Sequence, residues 1–140
     1  MVNFSERLKT LRRNSNLTQK QLADEIGSSE RGIQNYEIEQ RKPAYDVIIK
    51  LANYFNVPAD YLLGVGLYAQ FDKIVENRIK LTEIFINLFR DYDENFQGVI
   101  ATMKGVSDID FVRLMSVFTA RVDFQSIEGE TEITVYPLLP

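Results

Sequence analysis

The chain has 140 residues, 45% of them hydrophobic, which is enough to build one ordinary core or two small ones. It contains no cysteine and no histidine, so disulfides, thiolate nucleophiles, imidazole bases and the usual zinc sites are excluded. Carboxylate, lysine or tyrosine chemistry remains, but the acidic residues form neither an acid/base pair nor a complete calcium loop, so we predict no enzymatic activity, no cofactor and no metal site. The net charge of −4 combines nine basic and eight acidic residues over residues 1–64 with seven basic and twelve acidic residues over residues 65–140, so only the second part is acidic.

Two amphipathic helices are predicted at the start of the chain. Apolar residues at i, i+4 and i+7 from Phe4 predict a helix over about residues 4–14. Thr18 and Gln21 have the spacing of a capping box, which begins a second helix. Gly27 ends that helix because its backbone tolerates the left-handed conformation.

The third predicted helix follows closely behind the second. Ser29 is a candidate N-cap for a helix through Glu37, with Ile33 and Tyr36 facing inward. About three residues separate the two helices, and such a tight connection containing glycine is typical of a helix-turn-helix, whose second helix is presented to a groove of DNA. Subtracting the inward residues leaves four polar side chains on the outer face: Glu30, Arg31, Gln34 and Asn35.

A loop over residues 38–43 separates this pair from two further helices. The fourth helix has an apolar face made of Val47, Ile48, Leu51, Ala52 and Phe55. Asn56 to Pro58 breaks it, and one or two last turns precede Gly64. Because Gly64 and Gly66 interrupt the helical pattern where the charge balance also changes, we predict a domain boundary here, with domains over residues 1–64 and 65–140.

The second domain begins with a long helical pattern from Leu67 to about Tyr92. Read as a heptad repeat, it has the apolar seam of a coiled coil, so we predict a homodimer contact through five residues of this helix. These are Phe71, Ile74, Leu81, Phe85 and Leu88, and the same seam also contains Arg78 and Tyr92. The alternative is a helix packed within its own chain, against the terminal hairpin and a helix around Phe111.

The rest of the chain is predicted as a loop, a helix and a hairpin. Residues 91–104 are predicted as a loop, and Ser107 caps a helix that contains Phe111. Beyond Ala120 the apolar period changes to two on either side of Glu128-Gly129, which predicts a β-hairpin. The apolar end, residues 136–140, is expected to dock on its own domain or on a partner chain.

Many residues of the first domain agree in register with one known family. They are Leu17 to Gly27 (LTQKQLADEIG), Ile33, Tyr36, Glu37, Arg41, Pro43, Leu51, Ala52, Phe55, Val57 and Tyr61 to Gly64. With these residues the segment 4–64 resembles the Cro and lambda-repressor helix-turn-helix family, also called the XRE family. The resemblance implies a compact five-helix DNA-binding domain and, most often, a transcriptional repressor that works as a dimer.

The outer face of the third helix has side chains that can read base edges in the major groove. Arg31 is suited to guanine, Gln34 or Asn35 to adenine, and Glu30 to the amino group of cytosine. We therefore predict that these four residues contact bases.

Phosphate contacts need hydrogen-bond donors and cations at helix starts and in flanking loops. Residues of this kind lie at the start of the second helix and on both sides of the third: Gln19, Lys20, Ser29, Arg41 and Lys42. For Arg12 and Arg13, a phosphate contact and a solvated helix face remain equally open.

Two residues depart from the family pattern. Glu39 stands where the family commonly has glycine, and a positive φ there would cost glutamate about 1 kcal/mol. Gly32 lies inside the third helix, where glycine costs about 1 kcal/mol relative to alanine.

The predicted fold class is mainly α: a five-helix lambda-repressor-like DNA-binding domain, then a small α+β domain for oligomerisation or regulation. The predicted function is a sequence-specific transcriptional regulator, a dimeric repressor of phage or mobile-element type that binds a pseudo-palindromic operator in double-stranded DNA. The alternative is an antitoxin or accessory control protein whose C-terminal domain binds a protein, such as an antirepressor, a protease or a toxin. We expect a cytoplasmic protein, because no stretch suits a membrane span or a secretory signal.

Overall fold

The computed structural model describes residues 3–90 and 96–138, and it divides into two compact units, Met1–Gly66 and Leu67–Pro140. Helices dominate both units, and a two-stranded antiparallel hairpin ends the second. This is the mainly α architecture, closing in a hairpin, that the sequence predicts. No helix within the described ranges is long and apolar enough to cross a membrane.

The first unit contains five helices. They are α1 (Phe4–Asn14), α2 (Gln19–Ile26), α3 (Glu30–Glu37), α4 (Tyr45–Phe55) and α5 (Ala59–Leu63). The predicted capping box is confirmed: the Thr18 hydroxyl accepts from the Gln21 amide at 3.1 Å, and the Thr18 amide donates to the Gln21 side chain at 2.9 Å. Gly27 adopts the left-handed conformation with φ 68°, as expected for the residue that ends α2.

The core of the first unit draws one fully buried residue from each helix: Leu8, Leu22, Ile33, Leu51 and Leu62. The inward orientation predicted for Ile33 and Tyr36 is confirmed by their burial. Their burial fixes the orientation of α3, since residues on the other side of the same helix must then face away from the core.

The second unit begins within a short 3-10 helix over Gly66–Gln70. Its elements are α6 (Phe71–Glu76), α7 (Arg78–Phe89), α8 (Phe96–Gly105), α9 (Asp108–Phe118), β1 (Thr119–Ile127) and β2 (Glu130–Pro137). The single long helix predicted over residues 67–92 is therefore wrong. The helix is interrupted at Asn77. The side-chain amide of Asn77 donates to the Lys73 carbonyl at 2.8 Å and so competes with the backbone for that acceptor.

The predicted coiled-coil seam is divided by this break. Ile74, Leu81 and Phe85 are completely buried within one chain, so they have no exposed surface to offer to a second copy. Phe71 is half-buried, Leu88 is 48% exposed, and Tyr92 lies outside the described residues. The apolar stripe instead packs inside the unit, as in the intrachain alternative: α6 contacts α9 and α7 contacts α8.

Arg78, another member of the predicted seam, joins two helices of its own unit. Its guanidinium donates to the carbonyls of Met103 at 2.8 Å and Val106 at 2.7 Å, which lie at and just beyond the carboxyl end of α8. It also pairs with Asp108 at 2.9 Å, in the first turn of α9, and lies 4.6 Å from the centre of the Phe111 ring. These contacts place a cation at a helix carboxyl end, where it is stabilising.

The loop predicted over residues 91–104 is wrong for its second part, because α8 covers most of it. Ile100 and Met103 are buried at helical spacing. The prediction missed this helix because Gly98 and Gly105 lower its helix propensity and its apolar stripe is short. Residues 91–95 lie outside the described part.

The predicted hairpin is confirmed. Val122 pairs with Val135 and Phe124 with Ile133, and the turn residues Glu128 and Gly129 both have positive φ, as a type I′ hairpin turn requires. The end of the chain contacts its own unit through one hydrogen bond, in which the Leu138 amide donates to the Phe118 carbonyl at 2.9 Å. Leu139 and Pro140 lie outside the described residues.

Candidate nucleic-acid interface

The connection between α2 and α3 is tight and rigidly held. The Ser28 amide donates to the Ala23 carbonyl at 2.8 Å, closing the end of α2. The Ser29 hydroxyl then accepts from the Gly32 amide at 3.0 Å and so caps α3, as predicted. Only three residues, Gly27 to Ser29, separate the two helices.

The two faces of α3 differ sharply. Ile33 and Tyr36 face the core, whereas the four predicted base-reading residues lie on the opposite arc of the helix. Of these, Glu30 and Arg31 are exposed and Gln34 and Asn35 are half-buried. The fold therefore presents two amides, a guanidinium and a carboxylate together on one face of α3.

A buried ion pair locks α3 to the two helices before it. The Glu37 carboxylate, 1% exposed, accepts from Arg12 Nε at 2.6 Å and Nη2 at 3.0 Å, and from the Gln19 side-chain amide at 2.8 Å. Arg12 also donates to the Leu17 carbonyl at 2.9 Å. Arg12 thus has neither of the two roles left open by the sequence, because its charge is directed inward.

The electrostatics of this pair keep Glu37 ionised. Burial by itself raises the pKa of Glu37. Hydrogen bonds from Arg12 and Gln19 and the positive charges of Arg12 and Lys9 together lower it by more, so the pKa of Glu37 lies below the ordinary 4.5. Arg12 and Glu37 are 25 residues apart in the sequence. The pair therefore has no local signal in the sequence.

The predicted phosphate-contacting residues surround α3. Lys20, Arg41 and Lys42 are exposed, the first on α2 and the others in the loop after α3. Gln19 is half-buried, and one of its two amide N–H groups is available in addition to the one that Glu37 holds. The Ser29 hydroxyl accepts the capping bond and retains its own hydrogen as a donor.

Glu39 adopts the strained backbone that its departure from the family pattern implies. Its φ is 62°, in the left-handed region where glycine is favoured. Its carboxylate accepts a hydrogen bond from the side-chain amide of Asn3. The same Asn3 side chain caps α1 by accepting from the Glu6 amide at 3.0 Å, so the acidic group is held by the amino end of α1.

Gly32 has a steric reason for its place in α3. A Cβ atom added there would lie 3.1 Å from the Ser29 hydroxyl oxygen and 3.2 Å from that of Ser28. Both oxygens belong to the turn, and one of them caps the helix. The small residue thus lets the turn close against the first turn of α3.

Tyr45 is a candidate contact residue that the sequence pattern did not indicate. Its side chain is 79% exposed at the first position of α4, directly after the basic loop of Arg41 and Lys42. A phenol can donate its O–H to a phosphate oxygen. In the sequence, Tyr45 is marked only as an aromatic residue just outside the apolar face of α4, which begins at Val47.

Comparison with known proteins identifies the first unit. A protein-family model described as helix-turn-helix matches residues 8–62. Residues 8–62 form an XRE-type helix-turn-helix domain. The resemblance predicted over residues 4–64 is thereby confirmed, and in this helix-turn-helix domain α2 and α3 are the two helices of the motif.

Similar proteins share this domain. The HTH-type transcriptional regulator ImmR of Bacillus subtilis is 38% identical over 63 residues, which are 45% of this chain and 50% of that protein. The SPbeta prophage-derived uncharacterized HTH-type transcriptional regulator YonR of the same organism is 39% identical over 69 residues, 49% of this chain and 63% of that one. The matched segment thus spans between half and two thirds of these relatives. The P22 c2 repressor, solved in complex with a synthetic operator, is 24% identical, with 45% of this chain and 96% of that one covered and a TM-score of 0.44.

Proposed function

We propose that this protein is a sequence-specific DNA-binding transcriptional regulator, a dimeric repressor of phage or mobile-element type. The observation that carries the proposal is the outer face of α3, where Glu30, Arg31, Gln34 and Asn35 stand opposite the buried Ile33 and Tyr36. The helix-turn-helix domain that contains this face is shared with curated transcriptional regulators.

Each of the four side chains has a base that it suits. Arg31 can donate two bonds to O6 and N7 of guanine, and the amides of Gln34 and Asn35 can donate to and accept from adenine. Glu30 can accept from the amino group of cytosine. The buried pair below α3 supports this role, since α1 and α2 fix the carboxyl end of the helix through Glu37.

The cations and donors around α3 supply affinity without sequence preference. Lys20, Arg41 and Lys42 can neutralise phosphates on either side of the groove, and Gln19 and Ser29 can donate to phosphate oxygens. The Glu39 carboxylate of the loop after α3 accepts a hydrogen bond from the neutral Asn3 amide, so its negative charge remains and opposes this role.

Repression would follow from occupation of the operator. A dimer presents two copies of α3 one DNA turn apart, about 34 Å, and so covers a pseudo-palindromic site. We assign residues 1–64 to DNA binding and residues 65–140 to oligomerisation or regulation. In the bound state the dimer blocks access of the polymerase. When the second domains of the two copies dissociate from each other, the operator is released.

The decisive variant replaces three residues of the outer face, Arg31, Gln34 and Asn35, by alanine. We expect this variant to lose its preference for the cognate operator while it retains salt-dependent, non-specific binding, because the phosphate-contacting residues remain. The matched control is Lys50→Ala with Asn53→Ala, which removes one positive charge and one amide from the exposed face of α4. Unchanged operator preference in the triple variant would refute the assignment of α3.

The phosphate contacts are tested separately through salt dependence. Replacing Arg41 and Lys42 by alanine should weaken binding to all sequences and reduce the slope of log K against log salt by about one for each phosphate that is no longer neutralised. Base preference should stay the same. A change of preferred sequence with an unaltered slope would show that these residues read bases and not the backbone.

A further inference from the structure

Strand β2 has the composition of a paired strand but a partner on only one side. Within residues 3–90 and 96–138 it pairs with β1 alone, in a sheet of two strands. From Thr131 to Tyr136, every residue except Glu132 is β-branched or aromatic, which are the types that favour strands. A long edge strand of this kind, with no lysine along it, is a template for pairing with another chain.

The helices of the second unit lie closer to β1 than to β2. Helix α9 leads directly into β1. Next to the hairpin, α6 contributes to a shallow pocket whose lining includes three residues of β1 and one of β2: Phe124, Gln125 and Ser126, with Thr131. The outer edge of β2 is therefore the more accessible edge of the hairpin.

The inner face of the hairpin is an apolar stripe that stops at β2. Val122 and its partner Val135 are buried, whereas Phe124 and its partner Ile133 are only half-buried. Isolated two-stranded sheets are marginally stable in water, and a third or fourth strand with a shared apolar face stabilises them. Further strands beside β2 would continue this stripe across Ile133.

We propose that β2 pairs antiparallel with β2 of a second copy of this chain, centred on Ile133, to form a four-stranded sheet. In this register Ile133 faces its own counterpart, and Glu132 lies opposite Thr134 of the second copy. Glu130 lies opposite Tyr136 of the second copy. Centring the pair on Glu132 would place two carboxylates directly opposite each other, which is destabilising.

Charge complementarity favours the same register. The Arg121 guanidinium lies 4.1 Å from the centre of the ring of Tyr136, its partner on β2. Its Nε is also 3.1 Å from Asp123. In the proposed sheet, Glu130 of the second copy lies next to Tyr136, one strand spacing beyond it. The Arg121 guanidinium and this Glu130 carboxylate then lie on either side of Tyr136 as a pair of opposite charges. Each dimer thus contains two such pairings, related by its two-fold axis.

This surface deepens the proposed dimeric function and rests on it, and its test measures assembly without DNA. Since the chain has no cysteine, a single introduced cysteine reports which residues of two copies meet. Ile133→Cys in the full chain should form a disulfide-linked dimer on mild oxidation, because facing residues of adjacent strands meet the geometry of a disulfide. Thr131→Cys is the matched control, since its two copies would lie about 13 Å apart along the strands.

The charge pairing gives a second readout. Arg121→Glu should raise the dimer dissociation constant about tenfold, as each dimer loses two attractive pairings and gains two repulsive ones. Adding Glu130→Arg should restore dimerisation, while Arg113→Glu on α9 should leave it unchanged. A monomeric full chain, cross-linking of Thr131→Cys but not Ile133→Cys, or no recovery in the charge swap would overturn the proposal. Loss of operator binding with intact cross-linking would instead contradict the proposed function alone.

Discussion

Arg12→Met removes the cation that faces the buried Glu37 carboxylate and keeps most of the apolar length of the side chain. Removing one partner of a buried ion pair costs about 3–5 kcal/mol, because the other charge stays buried without compensation. Arg12 remains 12% exposed, so we expect a loss near the lower end, about 3 kcal/mol, in the stability of the helix-turn-helix domain. Arg13→Met, on the exposed side of α1, is the control and should change stability by less than about 0.5 kcal/mol.

The pH dependence separates this electrostatic cause from lost packing. In the native protein the pKa of Glu37 is lowered below 4.5, so its contribution to stability is present above that pH and is lost as the pH falls through the lowered value. Without Arg12, burial raises the pKa of Glu37, and protonation relieves the penalty as the pH falls. The stability difference between the two proteins should therefore narrow in acid.

Urea unfolding of the full chain, followed by far-ultraviolet circular dichroism from neutral pH to below pH 4.5, measures both effects. Adding Glu37→Gln to Arg12→Met should recover part of the loss, since no buried charge then remains. A loss below about 1 kcal/mol at neutral pH, or a difference that is constant with pH, would refute the reasoning.

Three further predictions use other contacts. Gly32→Ala should fail to give the gain of about 1 kcal/mol expected from helix propensity, because its Cβ would lie 3.1 Å from the Ser29 oxygen; thermal unfolding that shows the full gain would contradict this. Glu39→Gly should strengthen DNA binding at low salt because it removes a negative charge, and binding titrations that show no gain would contradict this. Its stability should change by less than about 1 kcal/mol, because the relief of backbone strain is offset by a more flexible unfolded chain and by the loss of the Asn3 hydrogen bond. Arg78→Met should destabilise the second unit by about 2–3 kcal/mol without altering DNA binding by the first, measured by urea unfolding and binding together.

Local signals account for what the sequence predicted well. Caps and turns depend on residues a few positions apart, so the spacing of Thr18 and Gln21, the serine at position 29 and the glycine at position 27 were sufficient to place α2 and α3. The burial of Ile33 and Tyr36 followed from helical periodicity, and it also determines which side chains α3 presents.

Long-range contacts account for what the sequence missed. Arg12 and Glu37 meet only in the folded domain, so their inward pairing has no local signature. In the second unit, the side chain of Asn77 ends a helix that apolar spacing alone would continue. The same spacing fits a coiled coil and an intrachain core equally well, and only the burial of Ile74 and Leu81 distinguishes them. The roles of the individual DNA-contacting residues stay predictions.

Selection of bound sequences from random double-stranded DNA by the full chain tests the central proposal most directly. A dimer that presents two copies of α3 should enrich one motif with two-fold symmetry, its half-sites about one helical turn apart. The triple alanine variant at Arg31, Gln34 and Asn35 should enrich none. Selection of an unsymmetrical motif, or no enrichment by the native chain, would contradict the account of a dimeric, sequence-specific regulator.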